Sequence, residues 1–174
     1  MTRLTLLLCV GVWAVMPSTA SASEIFGGIY VHDVKTPLNL SGVEEGLDLQ
    51  LGWRGGRIGA TPLQPYIFGA VNSARETHYG AIGLSAKFGD RLFIRPGLGL
   101  ALHTGSSSKF QHPDHDHIDF GSRVLFAPEV GVGVRVTDRM TIEGSLVHMS
   151  HGILFSRQNP GTDNIGVRLT LDLP

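Results

Sequence analysis

From Glu24 onward the chain alternates apolar and polar residues in eight segments, and no stretch shows a convincing helical period of 3.6. The clearest segment sets Val124, Phe126, Val130, Val132, Val134 and Val136 against Arg123, Glu129, Gly131, Gly133 and Arg135. Another places Val43, Leu47, Leu49, Leu51 and Trp53 opposite Glu44, Asp48 and Gln50, and a third places Leu92, Ile94, Pro96, Leu98, Leu100 and Leu102 opposite Arg95, Gly97, Gly99 and His103. Ile82, Leu84, Ala86 and Phe88 alternate with Ser85 and Lys87. Ile25 to His32 opens the series, and Pro62 to Asn72 alternates poorly. The last two segments, Met140 to Ser150 and Asp163 to Leu173, are joined by a loop from His151 to Thr162. A period of two is the mark of a strand with two unlike faces.

The connections alternate in length. Tight turns follow the second, fourth and sixth segments, at Arg54 to Gly59, Gly89-Asp90 and Thr137-Asp138-Arg139, whereas long connections follow the fifth, Thr104 to Phe120, and the seventh. Short turns at one end, longer loops at the other and an even strand number predict an all-β fold, an eight-stranded antiparallel transmembrane β-barrel with an apolar exterior and a polar lumen. Several segments reach the nine to eleven residues that about one bilayer crossing requires. A soluble eight-stranded ligand-binding barrel would invert the pattern. The charged face is also rich in glycine, which suits a narrow lumen better than a solvent surface. Asp48, Lys87, Arg95, Arg123, Glu129, Arg135, Glu143 and Arg168 are the expected ion-paired filling.

Composition adds bounds. Glycine, at 23 residues, is scattered through apolar segments, which disfavours long helices. A formal net charge of −1 is not that of a nucleic-acid binder. Arg3, the apolar run Leu4 to Met16 and Ala20-Ser21-Ala22 read as a signal peptide over 1–22, leaving 23–174 as one barrel domain. The single cysteine, Cys9, falls within that leader, so the mature chain is expected to have neither a disulfide nor a catalytic thiol.

The candidate chemistry lies in the last hairpin. His148 and Ser150 are two residues apart, hence on one face and about 6.5 Å apart along the backbone, close enough for an imidazole to reach a hydroxyl. They share the phase of Met140, Ile142 and Leu146, and Asp163 shares the phase of Ile165, Val167, Leu169 and Leu171. All three therefore fall on the apolar face, which in a membrane barrel meets lipid. Glu143 has the opposite phase and reads as lumen filling, while His151 and Ser156 read as loop residues. The run His112-Pro113-Asp114-His115-Asp116-His117 has ligand chemistry for a divalent metal, but its Ser- and Gly-rich flanks suggest an outside loop. Trp53, at a strand end, suits either an interfacial anchor or a packed wall residue.

His148-Met149-Ser150, followed by Asn159-Pro160-Gly161-Thr162-Asp163 and a strand rich in glycine and aliphatics, resembles the C-terminal signature of the outer-membrane lipid A 3-O-deacylases, the PagL family. The resemblance implies an eight-stranded barrel that hydrolyses the ester-linked chain at the 3-position of lipid A, with a Ser-His-acid triad on its outer wall and neither metal nor cofactor. It would make His148 the base, Ser150 the nucleophile, Asp163 the acid and Asn159 a contributor to the oxyanion hole. The implied partners are lipid A or lipopolysaccharide as substrate and the lipid of the outer membrane. An exposed apolar wall would also accommodate a homodimer. Other readings of the same pattern are a non-enzymatic adhesion or structural barrel, a lipid-modifying acyltransferase barrel and a lipocalin-like carrier.

Overall fold

The computed structural model describes residues 22–39, 42–110, 114, 116–154 and 159–174. The expected leader, Ala22 apart, lies outside the described residues, as do Ser156 and, in the histidine-rich run, His112, Pro113 and His115. Nine strand segments follow in order: β1 Glu24–Val31, β2 Leu47–Arg54, β3 Leu63–Asn72, β4 Tyr79–Ala86, β5 Phe88–Gly89, β6 Leu92–His103, β7 Val124–Arg135, β8 Met140–Met149 and β9 Thr162–Asp172. All strand pairs are antiparallel, β1 pairs with both β2 and β9, and β4 pairs with β6, so the sheet closes. β4 and β5 are one stave in unbroken register with β6, interrupted beside Pro96, which has no N–H to give. The result is the expected eight-stranded barrel.

Burial settles which face is inside. Leu49, Leu51, Ile67, Ile82, Leu98, Val132 and Val167 point outward and are exposed, whereas Asp48, Gln50, Arg95, Glu143 and Arg168 are buried in the lumen. So large an exposed apolar belt belongs in lipid, where a closed sheet leaves no backbone group unpaired. The inverted arrangement of a soluble carrier is thereby excluded.

An ion network fills the lumen. Arg168 pairs with Glu129 at 2.9 Å and Glu143 at 3.0 Å. Arg95 lies 3.2 Å from Glu143 and 3.3 Å from Glu24, and Glu24 also pairs with Arg54 at 2.7 Å. Buried charges survive only when partnered in this way, since stripping one partner leaves an uncompensated ion. Of the expected filling, Arg95, Glu129, Glu143 and Arg168 take part. Arg135 instead pairs with the exposed Asp90, Arg123 donates to the carbonyls of His103, Thr104 and Gly105, and Lys87 sits over the Phe93 ring.

The lumen also holds aromatic rings that alternation did not reveal. Tyr66 and Phe68 of β3 point inward, stacked at 5.9 Å, and Phe68 meets Phe26 and Tyr79 edge-on. β3 therefore alternates well in space while both of its faces are apolar, which is why its pattern reads poorly. Glycines opposite the rings make the room: a Cβ on Gly52 would fall 2.4 Å from Phe26 Cζ, and one on Gly166 would fall 2.5 Å from Tyr30 Cγ.

At the end carrying the long connections, His32 just beyond β1 closes the lumen. Its Nδ1 meets Asp48 at 2.9 Å and its Nε2 meets Glu44 at 3.0 Å. Glu44 also accepts from the backbone N–H of Thr77 and Ile118, tying three connections together. Burial opposes charge on His32, but its two carboxylate partners outweigh it and hold its pKa up at about 9. Protonated His32 thus stabilises the fold. That contribution is complete below the free imidazole's pKa of about 6.5 and is lost as pH rises through about 9. In detergent, the stability advantage of wild type over His32→Gln should shrink by up to about 3 kcal/mol between neutral pH and about pH 10. An advantage independent of pH would contradict this.

Candidate active site

Register brings the candidate residues together. β8 and β9 pair so that His148 lies directly opposite Asp163, and Met149 opposite Thr162. Directly opposed residues carry their Cβ atoms within about 5.5 Å, a span that an imidazole and a short carboxylate can bridge. His148 Nδ1 lies 2.6 Å from Asp163 Oδ1, and His148 Nε2 lies 3.0 Å from Ser150 Oγ. Ser150 continues β8 by one bridge to β7, exchanging backbone hydrogen bonds with Phe126 at 2.8 and 3.1 Å. The hydroxyl is therefore carried by the sheet rather than by a free loop.

All three side chains belong to the outward rows, beside Leu146, Ile165 and Val167. Even so, Asp163 is fully buried and Ser150 is 8% exposed. The cover over Asp163 is the chain that follows β1: Val34 N–H donates to the Asp163 carbonyl at 2.7 Å, and the Thr36 hydroxyl donates to Asp163 Oδ2. An acid on the lipid-facing phase is thus kept hydrogen-bonded rather than bare. The Asp163 carboxylate accepts from Nδ1–H of the ring, which leaves Nε2 as the acceptor facing Ser150 Oγ–H. An imidazole so held can withdraw the hydroxyl proton and carry the resulting charge beside the carboxylate.

The loop between the strands packs against this group. Asn159 Oδ1 accepts the His151 N–H at 3.0 Å, bracing the chain just after Ser150. Since the amide oxygen is used there, the NH2 group is what Asn159 can offer to a developing negative charge. His151, expected in the loop, is a fully buried residue with its backbone in that brace. Gly161, to which the signature gave no role of its own, packs on this group: a Cβ there would lie 2.7 Å from the Met149 carbonyl oxygen and 3.2 Å from both His148 Cε1 and Ser150 Cβ.

The remaining candidates lie elsewhere. Glu143 is in the lumen, fully buried against Arg95 and Arg168. In the histidine-rich run, His117 faces Asp116 at 3.4 Å and Asp119 at 3.7 Å, and no group of three or more potential metal ligands forms among the described residues. Trp53 stands on the outer face at the end of β2, 42% exposed, as an interfacial anchor would.

Comparison with known families matches residues 46–172 to the model of the lipid A 3-O-deacylase (PagL) family. The chain belongs to that family. No curated protein sequence matches it. Among solved structures, the outer-membrane enzyme PagL superposes with a TM-score of 0.59 at 17% identity, covering 86% of this chain and 99% of that one. A de novo designed transmembrane β-barrel follows at 0.54, with 9% identity over 90% of this chain and all (100%) of that one. Neisserial surface protein A gives 0.53, with 15% identity and the same coverages, 90% and 100%. At such identities these likenesses carry the fold, that of an outer-membrane barrel, while the family rests on the sequence match.

In this PagL-family chain the contact of Gly161 with the hairpin makes a prediction. Gly161→Ala should leave the barrel folded but displace His148 or Ser150, lowering deacylation of lipid A by about ten- to a hundredfold. Wild-type turnover in this variant would show that the close approach is incidental.

Proposed function

We propose that the chain is a serine esterase of the outer membrane that hydrolyses the acyl chain ester-linked at the 3-position of lipid A, working on the outer leaflet. The observation that carries this reading is the outward-facing chain of hydrogen bonds from Asp163 through His148 to Ser150. It couples a hydroxyl to a base on the one surface of the barrel that an acyl chain in the membrane can touch. The short-turn end then faces the periplasm and the long connections face outward. Ser150, at the outer end of its stave, lies near headgroup depth, where a polar group on a barrel wall costs only about 0 to 1 kcal/mol.

Ser150 Oγ attacks the ester carbonyl as its proton passes to His148 Nε2, and Asp163 stabilises the imidazolium through Nδ1–H. The oxygen of the tetrahedral intermediate takes hydrogen bonds from Asn159 and nearby backbone amides. Collapse breaks the bond to the sugar oxygen, which receives the proton from His148, leaving the acyl group on Ser150. A water molecule, deprotonated by His148, then attacks the acyl carbonyl; the fatty acid leaves and Ser150 regains its proton. The apolar rows below the hairpin, Leu146 with Ile165 and Val167, give the acyl chain a wall to lie along.

Mass spectrometry of lipid A from Gram-negative cells producing wild type, Ser150→Ala or His148→Ala tests this. Wild type should shed one hydroxyacyl chain, and either variant should slow that loss by about a thousandfold or more, because the triad acts as a unit. Identical acyl patterns in wild-type and Ser150→Ala cells would remove the proposal, and a lipid A of increased mass would point to acyl transfer instead.

A further inference from the structure

The reading of Ser150, His148 and Asp163 as a triad leaves one feature of the site unused, the segment laid over the acid. We propose that Thr36 is a positioning residue of this active site: its hydroxyl, supplied by the chain after β1, fixes the Asp163 carboxylate in the orientation that holds His148. The inference rests on the triad reading and extends it by a fourth side chain.

Asp163 lies on a phase whose other members, Ile165, Val167, Leu169 and Leu171, are all exposed on the wall, yet it is fully buried. The path of the chain explains the difference. β1 runs beside β9 as far as the pair Val31 and Ile165. It then turns at His32-Asp33, where Asp33 takes a left-handed φ of 48°. The chain next rejoins the edge of β9: Asp33 N–H donates to Asn164 Oδ1 at 3.0 Å, and Val34 N–H donates to the Asp163 carbonyl at 2.7 Å. Two residues later the Thr36 side chain reaches Asp163 Oδ2.

The direction of that hydrogen bond is determined. Leu38 N–H donates to Thr36 Oγ1 at 3.0 Å, so the hydroxyl oxygen acts as acceptor there and its own proton goes to the carboxylate, which has only acceptors to offer when ionised. The two carboxylate oxygens are thus divided, Oδ1 to His148 and Oδ2 to Thr36. An aspartate held by one oxygen keeps a broad torsion about its last bond, and a second anchor on the other oxygen removes that freedom.

The segment carrying Thr36 is itself built rather than draped. Thr36 and Asn39 exchange backbone hydrogen bonds at 2.8 and 3.2 Å, Asn39 Nδ2 donates to Asp33 Oδ1 at 2.9 Å, and Asp33 Oδ2 receives the N–H groups of Val43 and Glu44. Thr36 Oγ1 is therefore presented from a fixed scaffold that also belongs to the lumen closure at Glu44. A segment that merely covered the acid would need the shape of threonine but not its hydroxyl.

Purified full-length variants assayed on lipid A in detergent micelles separate these roles. Thr36→Val keeps the shape and removes the donor; it should lower kcat by about ten- to a hundredfold, the range for losing a hydrogen bond to a charged group, with KM changed by less than about twofold. Thr36→Ser should restore most of the rate. In an Asp163→Asn background, Thr36→Val should cost little more, because the two residues then no longer act in series. Heat-modifiable migration on gels confirms that each barrel has folded, and Thr36→Ala takes the place of Thr36→Val if the latter does not fold. Wild-type kcat in Thr36→Val, or an equal loss in Thr36→Val and Thr36→Ser, overturns the inference while the triad stands. An active Ser150→Ala, run alongside, would overturn the triad reading itself.

Discussion

The lumen ion network is the constraint from which the rest follows. Glu143 and Arg168 are directly opposed on β8 and β9 and meet inside the barrel, where Glu129 and Arg95 join them. Turning that face to lipid would expose four charges to a medium without partners, so the inward phase of both strands is fixed. His148 and Asp163 stand an odd number of residues from Glu143 and Arg168 on the same two strands. Once the charged pair is inside, the imidazole and its acid must be outside. A structural interaction in the middle of the barrel thus determines that the hydrogen-bonded pair of His148 and Asp163 stands on the wall.

A wall is a costly place for a carboxylate, and the molecule meets that cost locally. The chain after β1 crosses onto the edge of β9, gives two hydrogen bonds to Asp163 and excludes its surroundings, while the loop after Ser150 is braced by Asn159 and closed over by Gly161. The proposed triad therefore sits on a rigid sheet and is packed from two sides by connections that belong to the same end of the barrel. Rigid support with converging hydrogen bonds is what a catalytic arrangement requires. A substrate that stays in the membrane can reach it without entering the protein.

The sequence made the faces legible and left the register hidden. A period of two shows that His148, Ser150 and Asp163 share the outer phase, but parity says nothing of which residue on one strand stands opposite which on the next, and a loop of some twelve residues leaves several registers open. β3 was obscured because Tyr66 and Phe68 line a lumen that was expected to be polar. Arg123 and Arg135 share the inward phase with Arg95, yet they lie where the barrel opens and find carbonyls or an exposed Asp90 instead of lumen partners. Thr36 could not be read at all: it meets Asp163 across 127 residues of sequence, through a kinked segment with no periodic signal.

The proposed esterase requires that His148 activate Ser150 on the outer wall. Reaction of the folded barrel with a fluorophosphonate, followed by peptide mapping, tests this without reliance on any lipid. A single adduct on Ser150 that fails to form in His148→Ala is the expected result. An adduct on another residue, or labelling of Ser150 at an unchanged rate in His148→Ala, would contradict it.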